Sequence, residues 1–227
     1  MLINYNVDIA FCIDRSAEMA PFISSLKEFL DNFLSAFVSR SNDWGFTVDF
    51  RVKFILFGDY AQDGENAMRE TAFFSLEDGV EPIHELFDTI RPLNSTGPSK
   101  NGLEAISKAI MSDWVTNRRS RKIIVLMSGS DAFDLGERAD SSTYPTDLPK
   151  NMSEFIDLWE QFEPYNGHIR CDKKRLALLA PHDTKYTVLN EILAGVSFEP
   201  IDFSSAENMP SYAGQIAERI FLECYAS

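Results

Sequence analysis

The sequence predicts a doubly wound α/β fold: a mostly parallel six-stranded sheet with helices on both faces, formed by residues 1–227 as one domain. Three observations predict it. Strand-length apolar runs alternate along the chain with amphipathic helical stretches, the pattern of a parallel sheet covered on both sides. Two of those runs, 7–13 and 123–127, are apolar almost throughout, as strands buried on both faces are. The 227 residues are 44% hydrophobic and include 18 Phe, enough to build a large aromatic core, and no linker or internal repeat divides them.

The elements follow in order. Residues 7–13 read as a central strand with Asp8 as its one polar outlier. From Met19, apolar residues fall at Phe22, Leu26, Phe29, Leu30, Phe33, Leu34, Phe37 and Val38. That helical spacing predicts one helix of about five turns, with Pro21 in its first turn, where a missing N–H does no harm. Residues 46–57 alternate and then run apolar, as a strand does. A Gly-bearing polar turn region covers 58–66, and 71–74 form a candidate short edge strand. Helices are expected at 79–90 and from about Asn101, with Trp114 facing inward, separated by the Pro- and Gly-marked loop 91–100. The strand 123–127 ends in Ser128-Gly129-Ser130-Asp131. Residues 134–150 read as a long surface excursion. A helix at 152–162, a buried strand at 175–180, a helix at 183–194 and a last strand at 196–201 follow. Pro200 assigns that last strand to an edge. A closing amphipathic helix spans 210–224.

Composition narrows the function. With 35 acidic and 21 basic residues the net charge is −14, which repels nucleic acid and anionic membranes and favours cations or basic partner surfaces. No apolar stretch reaches the roughly 18 residues needed to cross a bilayer, and the N-terminus lacks the features of a secretory signal. A cytoplasmic location is therefore expected. Cys12, Cys171 and Cys224 match no zinc or redox spacing and read as buried thiols. His84, His168 and His182 lie on separate segments, with Asp183 a candidate helix cap. The basic cluster 118–122 reads as local ion pairing. No nucleophile elbow, P-loop or dinucleotide fingerprint is present.

Three loops compete for one place. Asp14-Arg15-Ser16-Ala17-Glu18 follows the first strand, Ser95-Thr96-Gly97 lies between the middle helices, and Ser128 to Asp131 follows the strand 123–127. In a doubly wound sheet these would meet where strand order reverses. They carry carboxylates and hydroxyls, hard donors suited to Mg²⁺, Mn²⁺ or Ca²⁺.

With those residues in view, the chain resembles the von Willebrand factor type A domain family along nearly its whole length, as a bacterial stand-alone member. The family's metal-ion-dependent adhesion site reads Asp-x-Ser-x-Ser after the first strand, a Thr before the third helix and an Asp after the fourth strand. Asp14 and Ser16 match the first two positions, and Thr96, in Asn-Ser-Thr-Gly, resembles the Thr. The site departs from the pattern twice: Glu18 stands where the second Ser is expected, and Gly129 stands where the Asp is, leaving Asp131 to replace it. The resemblance thus implies a metal set of Asp14, Ser16, Glu18, Thr96 and Asp131, holding Mg²⁺ or Mn²⁺ weakly, with no metal an open alternative. Glu18 could equally serve the helix N-terminus, and Ser95 and Thr96 could cap the following loop and helix. The resemblance implies a non-enzymatic module that binds another protein in a bacterial signalling, stress-response or assembly system. Two other readings stand beside it. One is a metal-dependent hydrolase or phosphotransferase using Asp14 as an aspartyl-phosphate nucleophile. The other is a scaffold whose metal site has decayed.

Overall fold

The computed structural model describes residues 3–162, 174–203 and 209–225; Cys171 and His168 lie outside them. In chain order the strands are β1 (Ile3–Asp14), β2 (Phe46–Phe57), β3 (Met68–Glu70), β4 (Phe74–Ser75), β5 (Ser99–Lys100), β6 (Ser120–Met127), β7 (Asp131–Ala132), β8 (Lys174–Ala180) and β9 (Val196–Pro200). The helices are α1 (Ala20–Ser24), α2 (Leu26–Asp43), α3 (Tyr60–Asp63), α4 (Glu81–Thr89), α5 (Gly102–Ile110), α6 (Met152–Gln161), α7 (Lys185–Ile192) and α8 (Met209–Tyr225).

Five parallel strands, in the order β2-β1-β6-β8-β9, form the body of the sheet, and β3 and β4 both add antiparallel to the outer side of β2. The predicted edge strand at 71–74 is thus two short strands on either side of Thr71. That residue exchanges hydrogen bonds with Phe54 through its backbone N–H and its Oγ1, both 3.0 Å. Pro200 ends β9 at the opposite edge, where its missing N–H breaks no ladder.

Because successive strand side chains point to opposite faces, each central strand feeds two cores. Val7, Ile9, Phe11 and Ile13 of β1, with Ile123, Val125 and Met127 of β6, pack against α1, α2, α4 and α8. Ala10 and Cys12, with Ile124 and Leu126, pack against α5, α6 and α7. The first core is held by edge-to-face aromatic pairs such as Phe11–Phe33 and Phe37–Phe221, with centroids 5.5 and 5.3 Å apart. The same alternation puts Asp8 and Asp14 on the second face. Asp8 is no outlier: in register with Arg51 of β2, it receives Nε at 2.9 Å and Nη2 at 2.6 Å, and the Val115 N–H at 2.7 Å.

The single five-turn helix expected after Met19 is broken. A 3-10 turn at Ala17–Met19 leads into α1, and the chain turns at Ser25 before α2. The Ser24 and Ser25 hydroxyls donate to the Pro21 and Phe22 carbonyls at 2.6 and 3.0 Å. Short polar side chains compete in this way for helix carbonyls and loosen the turn. The excursion 134–150 forms no helix or strand, yet it is tied down. Leu135 and Leu148 are buried, Arg138 Nε donates to Asp59 at 3.0 Å, and Ser141 Oγ donates to the Tyr60 carbonyl at 2.8 Å. Within the cluster 118–122, Arg121 lies 4.9 Å from the Tyr5 and Tyr225 ring centroids, and Lys122 lies 5.3 Å from that of Phe162.

Candidate functional site

β1 and β6 are neighbours whose chain connections leave in opposite directions, so the sheet reverses its order between them. Loops at their C-terminal ends open a crevice there. The three loops singled out in the sequence do meet at this place. Ser128 Oγ, after β6, donates to Asp14 Oδ2 at 3.0 Å. The Leu93 N–H donates to the Arg15 carbonyl at 2.6 Å, and the Asp131 N–H to the Pro98 carbonyl at 2.8 Å. The last bond belongs to a two-stranded parallel ladder between β5 and β7, which pairs Ser99 with Asp131 and Lys100 with Ala132.

Asp14 sits at the bottom with no exposed surface. Its Oδ1 accepts the Ser16 N–H at 2.7 Å, and its Oδ2 accepts Ser128. Burial pushes the carboxyl above its ordinary value; the Ser16 and Ser128 donors and the Lys100 charge pull it back part of the way. Ser16 is fully buried beside it, and its hydroxyl has no hydrogen-bond partner of good geometry.

The other three expected ligands are not buried with Asp14. Glu18 is exposed on the 3-10 turn. It lies in the 3-10 turn that precedes α1, outside the first turn of that helix. Thr96 is exposed as well, with both backbone groups clamped by one side chain: Gln62 Oε1 accepts its N–H at 3.0 Å and Gln62 Nε2 donates to its carbonyl at 2.8 Å. The hydroxyl turned inward in that loop belongs to Ser95, which is 1% exposed and whose Oγ has no partner. Asp131 spends its Oδ1 on the N–H groups of Ala132 and Lys185, each at 2.7 Å, and so caps α7. It thereby takes the capping role expected of Asp183, which instead turns the chain with φ 58°. At Gly129, where the resemblance calls for an acid, a Cβ would lie 3.1 Å from Met19 Sδ, and Met19 is fully buried.

Two residues missed in the sequence complete the site. Lys100 is wholly buried, and its Nζ donates to the Gly97 carbonyl at 2.8 Å. Tyr186 of α7 is wholly buried too, and its phenol is pushed up by burial and by Asp14, Asp131 and Glu104 around it. Its Oη stands where a Cβ on residue 102 would fall, only 1.9 Å away, so Gly102 leaves it room. The signal for Lys100 was in plain view: a cation at the end of the loop 91–100, which was read only for oxygen donors.

The donor set can be tested against the expected ion. One buried carboxylate with both oxygens engaged, and the unpartnered hydroxyls of Ser16 and Ser95, fall short of the near-octahedral oxygen sphere of Mg²⁺. Among the described residues, no group of three His, Cys, Asp or Glu side chains is placed to hold a metal ion. The residues here do not fit a resident divalent ion.

No family model and no curated protein matches the chain in sequence. Solved structures match it in shape. The pilus adhesin SpaC from Lactobacillus rhamnosus GG is 12% identical with a TM-score of 0.57, over 96% of this chain and 31% of the adhesin. A von Willebrand factor type A protein from Catenulispora acidiphila is 10% identical with a TM-score of 0.55, over 97% of this chain and 43% of its own. The SpRpn10 VWA domain is 9% identical with a TM-score of 0.51, over 92% of this chain and 95% of that domain. The chain thus spans less than a third of the adhesin and nearly all of the SpRpn10 domain. At these identities the likeness carries the fold, and the fold is that of the von Willebrand factor type A domain.

Proposed function

We propose that this von Willebrand factor type A fold is a non-enzymatic interaction module that docks another protein on the loop end of its sheet. The mutual bracing of the three loops carries the reading. Arg15 is tied to Leu93, Pro98 to Asp131 and Asp14 to Ser128, so the loops form one backed surface. That surface exposes Glu18, Thr96 and Gly97. With the chain's net charge of −14, it favours a partner presenting basic groups. Burial of Asp14 supports the non-enzymatic reading over phosphoryl transfer, because a carboxylate with no exposed surface and two hydrogen-bonded oxygens is not offered to a phosphate. Among the described residues, no helix is long and apolar enough to cross a membrane. The setting we propose is a cytoplasmic bacterial signalling, stress-response or assembly system. The buried thiol of Cys12 suits a reducing compartment.

The experiment is comparative capture. The wild type, the double variant Glu18→Arg/Thr96→Arg, and a control at the far end of β6, Arg118→Glu, are each used as bait in the native host. The expected result is a partner held by the wild type and the control and released by the double variant, all three having the same melting temperature. A partner lost only with Arg118→Glu would move the docking surface to the opposite end and overturn the reading.

A further inference from the structure

We propose that Arg138, on the excursion 134–150, is a positioning residue for the docking face: through Asp59 and Gln62 it holds the loop that presents Thr96. That Thr96 meets a partner rests on the reading above, whereas the relay behind it is tested without one.

The relay is an unbroken line of hydrogen bonds. Gln62 Nε2 has two N–H groups and uses both: one donates to the Thr96 carbonyl at 2.8 Å, the other to Asp59 Oδ2 at 2.8 Å. Gln62 Oε1 accepts the Thr96 N–H at 3.0 Å. A flipped amide would set its oxygen against a carboxylate and a carbonyl, and its NH₂ against an N–H. Asp59 therefore fixes which way the Gln62 amide faces, and that orientation satisfies both backbone groups of Thr96. Asp59 itself is wholly buried. Its Oδ1 accepts the Ala61 N–H at 2.9 Å and Arg138 Nε at 3.0 Å. A buried carboxylate needs donors and a countercharge. Among the described residues, the Arg138 guanidinium is the cation paired with it.

Arg138 is in turn held in place. Its guanidinium carbon lies 3.6 Å from the Phe133 ring centroid, and the Phe133 N–H donates to the Lys100 carbonyl at 3.0 Å, beside the β5–β7 ladder. The excursion that carries it is pinched at its neck. Gly136, at φ 79°, sits so near the other end that a Cβ there would lie 3.0 Å from the Lys150 carbonyl oxygen, as in an Ω-loop. Ser141 Oγ on the Tyr60 carbonyl and Tyr144 Oη on Glu104 Oε1 seat the rest of it, at 2.8 and 3.0 Å. Of these three ties, the Arg138 bond is the one that continues through side chains to Thr96. It is more than a surface ion pair, because its acid is buried and spends the second oxygen on Gln62.

The test is amide hydrogen exchange on the full chain. It is read at Thr96 and, as a control on a neighbouring loop, at Ser16, whose N–H donates to Asp14 Oδ1. The forms compared are the wild type, Gln62→Leu, Arg138→Met, their double, and Tyr144→Phe, which cuts a different tie of the excursion. Gln62→Leu removes the clamp and should speed Thr96 exchange about tenfold, the scale of one lost hydrogen bond. Arg138→Met should speed it roughly threefold, with Ser16 unchanged in both. The double should be no faster than Gln62→Leu, because both changes act through one amide. Tyr144→Phe should leave Thr96 at the wild-type rate. If Arg138→Met fails to fold, the reciprocal measurement decides: Gln62→Leu should speed exchange of the Arg138 Nε proton, since coupling along a relay is mutual, and an unchanged rate would overturn the proposal. So would Thr96 unmoved in Arg138→Met, exchange raised alike at Thr96 and Ser16, or single effects that multiply in the double. Capture in the native host tests the docking reading separately. Arg138→Met should hold less partner than the wild type, and equal capture with Thr96 freed would overturn the docking role while the relay stood.

Discussion

Glu104 shows what burial does to one carboxyl. It has no exposed surface, Tyr144 Oη donates to its Oε1 at 3.0 Å, and its Oε2 has no partner. Desolvation is the largest effect on it and pushes its pKa up from 4.5 to about 7, against the pull of the Tyr144 hydrogen bond. In the unfolded chain the proton leaves at the ordinary value. Between about 4.5 and about 7 the folded protein therefore holds a proton that the unfolded chain has released. Stability falls as pH rises through that window and is level on either side. The shift corresponds to roughly 3 kcal/mol. Glu104→Gln keeps an acceptor for Tyr144 and does not titrate. Denaturant unfolding across this range should show the variant gaining on the wild type by about that amount as pH rises. Parallel curves would mean that Glu104 carries its charge in the folded state.

At the scale of elements, the approach of α7 to α5 sets the floor of the site. Gly102 is the first residue of α5, and Tyr186 Oη and Cζ would lie 1.9 and 2.9 Å from a Cβ there. A ring wedged between helix and sheet cannot swing aside as a flexible side chain can. Gly102→Ala should therefore cost about 2 kcal/mol or more, and Gly102→Ala/Tyr186→Leu should recover much of it in the same unfolding experiment. An unaltered midpoint in the single variant would place the phenol elsewhere. The helices themselves were legible from the positions of Phe22, Leu26, Phe29 and Phe33, because the 3.6-residue period survives any tertiary setting. The break at Ser25 was not, because two serine hydroxyls captured carbonyls without disturbing that period. The excursion 134–150 was legible as irregular, while its anchorage by Arg138, Ser141 and Tyr144 depends on residues far away in sequence.

For the molecule as a whole, the adjacency of the first strand and the strand 123–127 and the convergence of three loops followed from alternation and from the rules for parallel sheets. Which side chains those loops turn inward did not follow. Ser95 and Thr96 are neighbours, and the Gln62 clamp on the Thr96 backbone accompanies the arrangement in which Ser95 is buried and Thr96 exposed. Asp131 was legible as an acid in the right loop. Its commitment to α7 rests on a helix that starts 54 positions later. Lys100 was overlooked because a search for oxygen ligands passes over a cation. Together these residues make up the proposed docking face, with a buried carboxylate at its base. The direct test is the affinity of the captured partner measured in excess chelator and again in millimolar Mg²⁺. The account predicts the same affinity in both. Binding that is lost in chelator and restored by Mg²⁺ would contradict it.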